Sequence, residues 1–458
     1  MCYSKENNIT DRFVDNIFHL ANATLHKEVY EHFRDCFLDY MGCAIAGSRL
    51  LSEKVDKYIR YRHCAEGACT VLGKTKKLEP NEAAFLNAMS AHVIELDDGH
   101  KLGAIHLGAP IFSGLLAVAE SESITFGDFL RGAVVGYEAA IRIASSIQPY
   151  HRNRGFHTTG TCGTIGVTIA IATALHFSFQ EMKTALSCAV SCAGGSNEMM
   201  EGQSQLKPFN IGKAAYDGVL SAYVGRIGFV APNDIIGGKR GFYAIMTDQF
   251  DDSYLESFNG SSLLGMTNYF KTYAACRHCH AAIEATLFLQ KENKIDPQSI
   301  VRINVDMYDS GISGHDHKNI DSMNAAKMSI PYSVAVAILE KKAGLREYDD
   351  EHICRKDILS LTQKVFVREN PSLTALTPQK RASIVEIITS SAVFRKRVDS
   401  SKGDIDNPMD RDELMSKFMD LTESAGLSLG SIKSLCDSII NTPLDSVFPE
   451  KLFEYNFA

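Results

Sequence analysis

The chain has 458 residues, 45% of them apolar and 22% charged, with 47 Lys and Arg against 55 Asp and Glu and a net charge of −8. This is the balance of an ordinary folded protein and excludes wholesale disorder or collagen-like structure. The acidic excess argues against a nucleic-acid or anionic-membrane partner, which needs a basic face, but a small anionic substrate stays open because a pocket's charge is local. At about 150 residues per domain, the length allows three domains or two large ones. The first twenty residues lack a basic region followed by an apolar run and carry Glu6, Asp11 and Asp15, so no secretory or mitochondrial leader is expected. The charge-free stretch from Gly155 to Gln180 holds two His and four Gly, and reads as a buried helix rather than a membrane span. Twelve Cys in a long chain without a leader read as free thiols in a reducing cytoplasm, which is the expected location.

In chain order, helix-period apolar patterns run through Val29–Ala46, Glu82–Ile94, Ile111–Ala119, Phe126–Ser146, Thr164–Ala174 and Phe179–Cys192. Gly47, Pro80, Gly108–Pro110, Gly127 and Gly194–Gly195 punctuate them. Gly160, Gly163 and Gly166 place small residues three apart on one helix face, which suits close helix packing; without a preceding strand they are no phosphate fingerprint. From about Lys271 the texture changes. Ser299–Tyr308 and Ser383–Ser390 alternate in period two and are predicted strands, with helices over Met323–Glu340 and Asp357–Lys364 between them. After Asp404 the chain returns to helix over Arg411–Glu423 and Gly430–Asn441. The expected fold is mainly α: a large helical domain (1–268, completed by 397–458) with an inserted α+β lid (269–396).

Four clusters combine titratable groups with tight turns. Glu95-Leu-Asp97-Asp98-Gly-His100, followed by His106, reads as an exposed helix end facing a cleft, or blandly as a solvated terminus; Asp and His also admit a metal. Paired aspartates on a helical protein are also found in prenyl-diphosphate chemistry, but no second Asp-rich helix accompanies them. In Arg152-Asn-Arg154-Gly-Phe-His157, the His precedes a helix whose first turn offers free N–H groups to an anion, or else merely caps it. In Lys207-Pro208, the Pro fits the first position of a helix and holds Lys207 extended at its entrance, placed to meet an anionic ligand. Cys276-Arg277-His278-Cys279-His280 has the Cys-x-x-Cys-His form of a haem attachment site, which requires export. A zinc site would need a second matching pair, and none exists. What remains is a basic, imidazole-rich turn at a domain junction, where small-molecule sites are common.

These clusters, together with Gly132–Arg142, Lys327–Ala335 (KMSIPYSVA) and Gly403–Met409 (GDIDNPM), resemble the MmgE/PrpD family over nearly the whole chain. The family includes 2-methylcitrate dehydratases, cis-aconitate decarboxylases and iminodisuccinate epimerases. The resemblance implies a helical domain with an α+β lid, a homodimer, a site between the domains, and no metal or other cofactor. It implies catalytic roles for Asp97, His106, His157, Lys207 and His280. Substrate-binding roles fall on Glu95, Asp98, His100, Arg277 and Tyr308. The chain departs from the decarboxylase pattern Asp-Phe-Asp-Asp-Thr: Glu95 is longer by a methylene, and Gly99 lacks a hydroxyl. Leu107 replaces a Pro after the site His. The expected activity is a lyase acting on a small di- or tricarboxylate through His-mediated proton transfer, by dehydration or decarboxylation. Epimerisation of an amino- or imino-dicarboxylate and non-catalytic carboxylate binding are the alternatives. The ligand's negative charge would be met by Lys207, Arg277 and protonated His, so binding is expected to weaken as pH rises through the His range.

Overall fold

The computed structural model describes residues 8–200, 204–256, 258 and 263–453. Its first half is helical: α1 (Ile9–Asn22), α2 (Lys27–Leu50), α3 (Ser52–Arg62), α4 (Pro80–Val93), α5 (Gly108–Ser121), α6 (Phe126–Ser145), α7 (Tyr150–Asn153), α8 (Thr158–Ala174), α9 (Phe179–Cys192), α10 (Lys207–Gly225) and α11 (Phe242–Met246). A two-stranded ribbon, β1 (Glu66–Thr70) with β2 (Lys77–Leu78), lies between α3 and α4. Residues 280–398 hold α12 (His280–Asn293), β3 (Ile300–Met307), α13 (Met323–Met328), α14 (Ile330–Glu340), α15 (Asp350–Ile353), α16 (Lys356–Gln363), β4 (Val365–Glu369), α17 (Pro371–Thr374), β5 (Ser383–Thr389) and β6 (Val393–Val398). The helices α18 (Arg411–Ser424) and α19 (Leu429–Asn441) follow. The fold is mainly α with a small β component, as the sequence predicts. Among the described residues no helix is long and apolar enough to cross a membrane, and the described cysteines are free.

Local chemistry sets the helix starts. Thr125 with Asp128, Ser178 with Glu181, and Asp410 with Glu413 form reciprocal capping boxes that satisfy orphan N–H groups of α6, α9 and α18. Every residue of α8 is buried. Its Thr164 and Thr168 hydroxyls donate to carbonyls four residues back, at 3.0 and 2.9 Å, so the polar side chains need no water. Gly166 is where α8 meets α6: a Cβ there would lie 2.8 Å from Ala140 Cβ, and one on Gly136 would lie 2.7 Å from Gly166 O. That mutual approach bears out the close helix packing read from the glycine spacing. Gly163 has ordinary room, with its nearest neighbour at 3.5 Å. The predicted helix over Met323–Glu340 divides at Ser329, whose hydroxyl accepts from Tyr332 N at 3.1 Å and caps α14, with Pro331 in its first turn.

The four-stranded sheet runs β4-β3-β5-β6. β4 is parallel to β3 and the other pairs are antiparallel, with Val305 opposite both Val367 and Val385. Among the described residues there are two hydrophobic cores. The larger is built by α1, α2, α4–α6 and α8–α10, with Phe418 of α18 and Leu435 of α19 joining it. The smaller lies between the sheet, α12 and α14. Ile94 and Leu96, which flank Glu95, belong to this second core, whereas Ile105 and Leu107 belong to the first. The acidic loop therefore lies on the seam between the cores. Lys417 of α18 fastens it, donating to Leu96 O at 2.8 Å while pairing with Asp39 of α2 at 2.6 Å. Glu95, Asp97, Asp98 and His100 are all buried, not exposed at a helix end as the sequence suggests: the second core covers the loop.

Candidate active site

Helix α4 ends at Val93, and two residues later the chain takes a left-handed turn at Glu95 (φ 59°). A non-glycine residue pays about 1–3 kcal/mol for such backbone, so the surroundings must hold it. They do so through ions. Glu95 Oε1 pairs with Lys207 Nζ, and Lys271 Nζ reaches Oε2 at 2.9 Å and the carbonyl of Glu95 at 3.0 Å. Burial alone would push the Glu95 carboxyl up, but Lys207 and Lys271, helped by His92 and His106, hold it well below the usual range. Lys207 is the first residue of α10 with Pro208 second, so it stands inside the helix start rather than just before it.

Asp97 lies between two imidazoles. Its Oδ2 is 2.8 Å from His92 Nδ1 and 3.1 Å from His106 Nδ1. His106 Nδ1 is also 3.0 Å from the carbonyl of Asp98. Both neighbours of that nitrogen accept only, so Nδ1 carries the hydrogen and Nε2 is left as the basic atom. Burial pushes Asp97 up, but the two imidazoles outweigh it and keep the group ionised. Burial lowers His106, and Asp97 offsets this only in part. Its side chain is 13% exposed, the most open of this trio.

His157 stands just before α8, as the sequence indicates; its side chain makes no capping bond, and its backbone N–H donates to Gly195 O at 3.0 Å. Burial, then Lys207, His92 and His106, drive its pKa well down, so the ring is neutral. Its Nδ1 is buried without a hydrogen-bond partner, as is Asp97 Oδ1, while His92 Nε2 faces Glu95 Oε1 at 3.4 Å. Buried polar atoms are nearly always paired in native proteins, so two orphans in one cluster mark a place where another molecule hydrogen-bonds.

The remaining predicted residues divide between the cluster and its supports. Asp98 accepts from Gly108 N (2.7 Å), Asn268 Nδ2 (2.8 Å) and Tyr137 OH (3.0 Å), so it builds the start of α5; burial raises it to about 6. His100 has Thr267 Oγ1 at 3.0 Å and Gly103 N at 3.5 Å, and burial lowers it to about 3. Both residues have their polar atoms occupied by protein. Arg277 binds Ser401 and lies 3.0 Å from Asp404. Tyr308 OH lies 2.5 Å from His278 Nδ1. His280 opens α12 fully buried, its Nε2 3.2 Å from Ala275 O, with Nδ1 unpartnered.

Several cluster residues escape the sequence reading. His92, three residues before Glu95 and on the same helix end, is one; Lys271, at the head of the imidazole-rich turn, is another. Lys327 and Arg381 are the others that matter for charge: neither has a carboxylate partner among the described residues. Lys327 donates only to Val93 O at 3.3 Å, and burial lowers it to about 8. Lys327 lies in the KMSIPYSVA segment, where a Lys flanked by apolar residues is the available signal. His92, Asp97 and His106 bring ligand-type atoms within 4.8 Å of one another, and so do Cys276, His278 and His315. In both groups these atoms lie within hydrogen-bond distance of one another or of a neighbouring hydroxyl.

Residues 11–255 match the MmgE/PrpD N-terminal domain, and residues 273–428 match the MmgE/PrpD C-terminal domain. The chain is 24% identical over 453 residues to the cis-aconitate decarboxylase of Homo sapiens, covering 94% of this chain and 91% of the relative. It is 23% identical over 426 residues to that of Mus musculus, covering 90% and 86%. Cis-aconitate decarboxylase-like protein oryM of Aspergillus oryzae is 26% identical over 304 residues, and the match spans 62% of each chain, under two thirds of that relative's length. With the first domain matched across more than half of the chain and the second over residues 273–428, this protein belongs to the MmgE/PrpD family.

Proposed function

We propose that the protein is a lyase acting on a small di- or tricarboxylate, removing water or CO2 by imidazole-mediated proton transfer at a carbon next to a carboxylate. The observation that carries this reading is the Asp97–His106 pair beside the unpartnered nitrogen of His157, in a cluster rich in cations. The likeness to cis-aconitate decarboxylases supports a substrate of that class. The resemblance also implies a homodimer, which light scattering on the purified chain tests.

Lys327 and Arg381 supply the positive charge that internal pairs do not consume, and are the anchors for substrate carboxylates. Lys207 and Arg277, the anchors expected from sequence, are partly neutralised by Glu95 and Asp404 and position the site. A carboxylate bound beside His157 offsets the field of Lys207, which raises the ring's affinity for a proton when substrate arrives. His106, fixed by Asp97 in the tautomer with a bare Nε2, takes or returns the proton at the reacting carbon. His157 serves as its acid–base partner. The His280 and Tyr308 segments close the lid side and exclude water, which strengthens every charge interaction inside.

The test is a panel of citrate, 2-methylcitrate, cis-aconitate and amino- or imino-dicarboxylates, followed by NMR for loss of water, loss of CO2 or inversion. Turnover by elimination of water or CO2, unchanged by EDTA, is the expected result. Inversion alone would move the protein to the epimerase reading, and binding without turnover would make it a carboxylate-binding member.

A further inference from the structure

The site holds a second titratable pair that the proton relay does not use. Cys276 Sγ lies 3.2 Å from His315 Nε2. The other ring nitrogen, Nδ1, donates to Ser313 O at 2.8 Å, so Nε2 is the atom that receives the thiol proton. Backbone bonds fix both partners: Cys276 N donates to Lys327 O at 2.9 Å, and Ile330 N donates to His315 O at 2.8 Å. The His278 ring stands 4.9 Å from the His315 ring and is held by Tyr308.

The surroundings favour charge separation. Burial raises the thiol, but His315 and then Lys207 outweigh it, against Glu95, and bring it down to about 6. Lys271, Arg381 and Tyr308 also face the sulfur from the acidic-loop and lid sides. Burial and the nearby Arg152 lower His315, but Cys276 overcomes both and raises it. Cys279, three residues on and without an imidazole partner, is pushed well above the ordinary thiol value. Cys276 is partly exposed as a residue, whereas Cys279 is buried.

We propose that Cys276 and His315 form a thiolate–imidazolium pair that makes the site a covalent trap for anionic electrophiles, α,β-unsaturated carboxylates in particular. The sulfur forms a bond to the β-carbon, and the π electron pair moves to the α-carbon. That carbon takes the proton from His315 Nε2, leaving a thioether and a neutral imidazole. The step needs no oxidant or reductant. The preference for anions rests on the carboxylate reading above; the activated thiol does not.

The test is alkylation of the full-length protein by iodoacetamide and by iodoacetate between pH 5 and 9, with and without EDTA, read at Cys276 and at the exposed Cys354 by peptide mass spectrometry. Cys276 should label with a midpoint near pH 6, and at pH 6.5 about 5-fold faster than Cys354, since its larger thiolate fraction outweighs its lower intrinsic nucleophilicity. Iodoacetate should be favoured over iodoacetamide at Cys276 relative to Cys354, and maleate should slow both and form a thioether there. In His315→Asn the midpoint should move above pH 8 while Cys354 is unchanged. A wild-type midpoint above pH 8, or labelling that appears only after EDTA treatment, as for a metal-bound thiolate, overturns the pair. A midpoint near 6 with no preference for iodoacetate overturns the anionic trap and the carboxylate reading together, and leaves the activated thiol standing.

Discussion

Asp97 and His106 meet through a single contact, Oδ2 to Nδ1 at 3.1 Å, which decides the chemistry of the cluster. Together with the Asp98 carbonyl, 3.0 Å from the same nitrogen, it assigns the hydrogen to Nδ1 and leaves Nε2 as the basic atom. Asp97→Asn keeps the size but lets the amide donate to Nδ1, favouring the wrong tautomer. Turnover should fall by about 10²–10⁴-fold, the usual contribution of a positioned acid–base group, while thermal unfolding changes little by comparison.

The pH dependence of ligand binding separates Lys327 from the imidazoles. His106, His157, His278 and His280 are all lowered by burial and are neutral at pH 7, so binding should be nearly flat from pH 6.5 to 7.5. If protonated forms of these four His supplied the charge, as the sequence reading expects, binding would instead weaken steadily across that range. Lys327, lowered to about 8, is cationic below that pH and neutral above it. Citrate affinity measured by calorimetry should therefore weaken as pH rises through 8, and Lys327→Met should be weaker throughout and lose that dependence.

Glu95 carries a stability prediction. Its folded pKa is depressed, so its contribution is fully present above the unfolded value of about 4.5 and is lost as pH falls toward the lower folded value. Glu95→Gln leaves Lys207 and Lys271 buried around a neutral group, and should cost about 3–5 kcal/mol in urea unfolding at pH 7. The difference from wild type should shrink in acid.

Gly99 is held by geometry. A Cβ there would lie 2.5 Å from Tyr269 Oη and 2.8 Å from Ile105 O, where Gly99 and Tyr269 exchange backbone hydrogen bonds of 3.2 and 2.8 Å. Gly99→Ala should destabilise by about 1–3 kcal/mol through overpacking, read as a lower Tm.

The helical half was readable because its apolar periods are long and its Gly and Pro breaks are clear. The start of α8 was legible too, from His157 standing just before a helix and from the glycine spacing, although the apolar period itself begins only at Thr164. The strands β4 and β6 escaped notice, being short and edge-placed; in β6, Arg395, Lys396 and Arg397 interrupt the apolar pattern. In the site, His106, His157 and Lys207 sit in compact motifs with visible turns. Lys327, Arg381 and His315 are single residues far along the chain from the acidic loop, and only tertiary packing brings their charges to it. Asp98 and His100 share the acidic motif with Asp97, yet hydrogen bonds to Asn268, Tyr137 and Thr267 reserve them for shaping the loop.

The most direct test of the proton-transfer account is NMR of the panel substrate that turns over, run in D2O with wild type, His106→Asn and His157→Asn. The account predicts deuterium at the carbon next to the carboxylate in product or recovered substrate with wild type. Incorporation should fall by about 10²-fold or more in both variants, with citrate binding retained. Wild-type incorporation rates in both folded variants would contradict it.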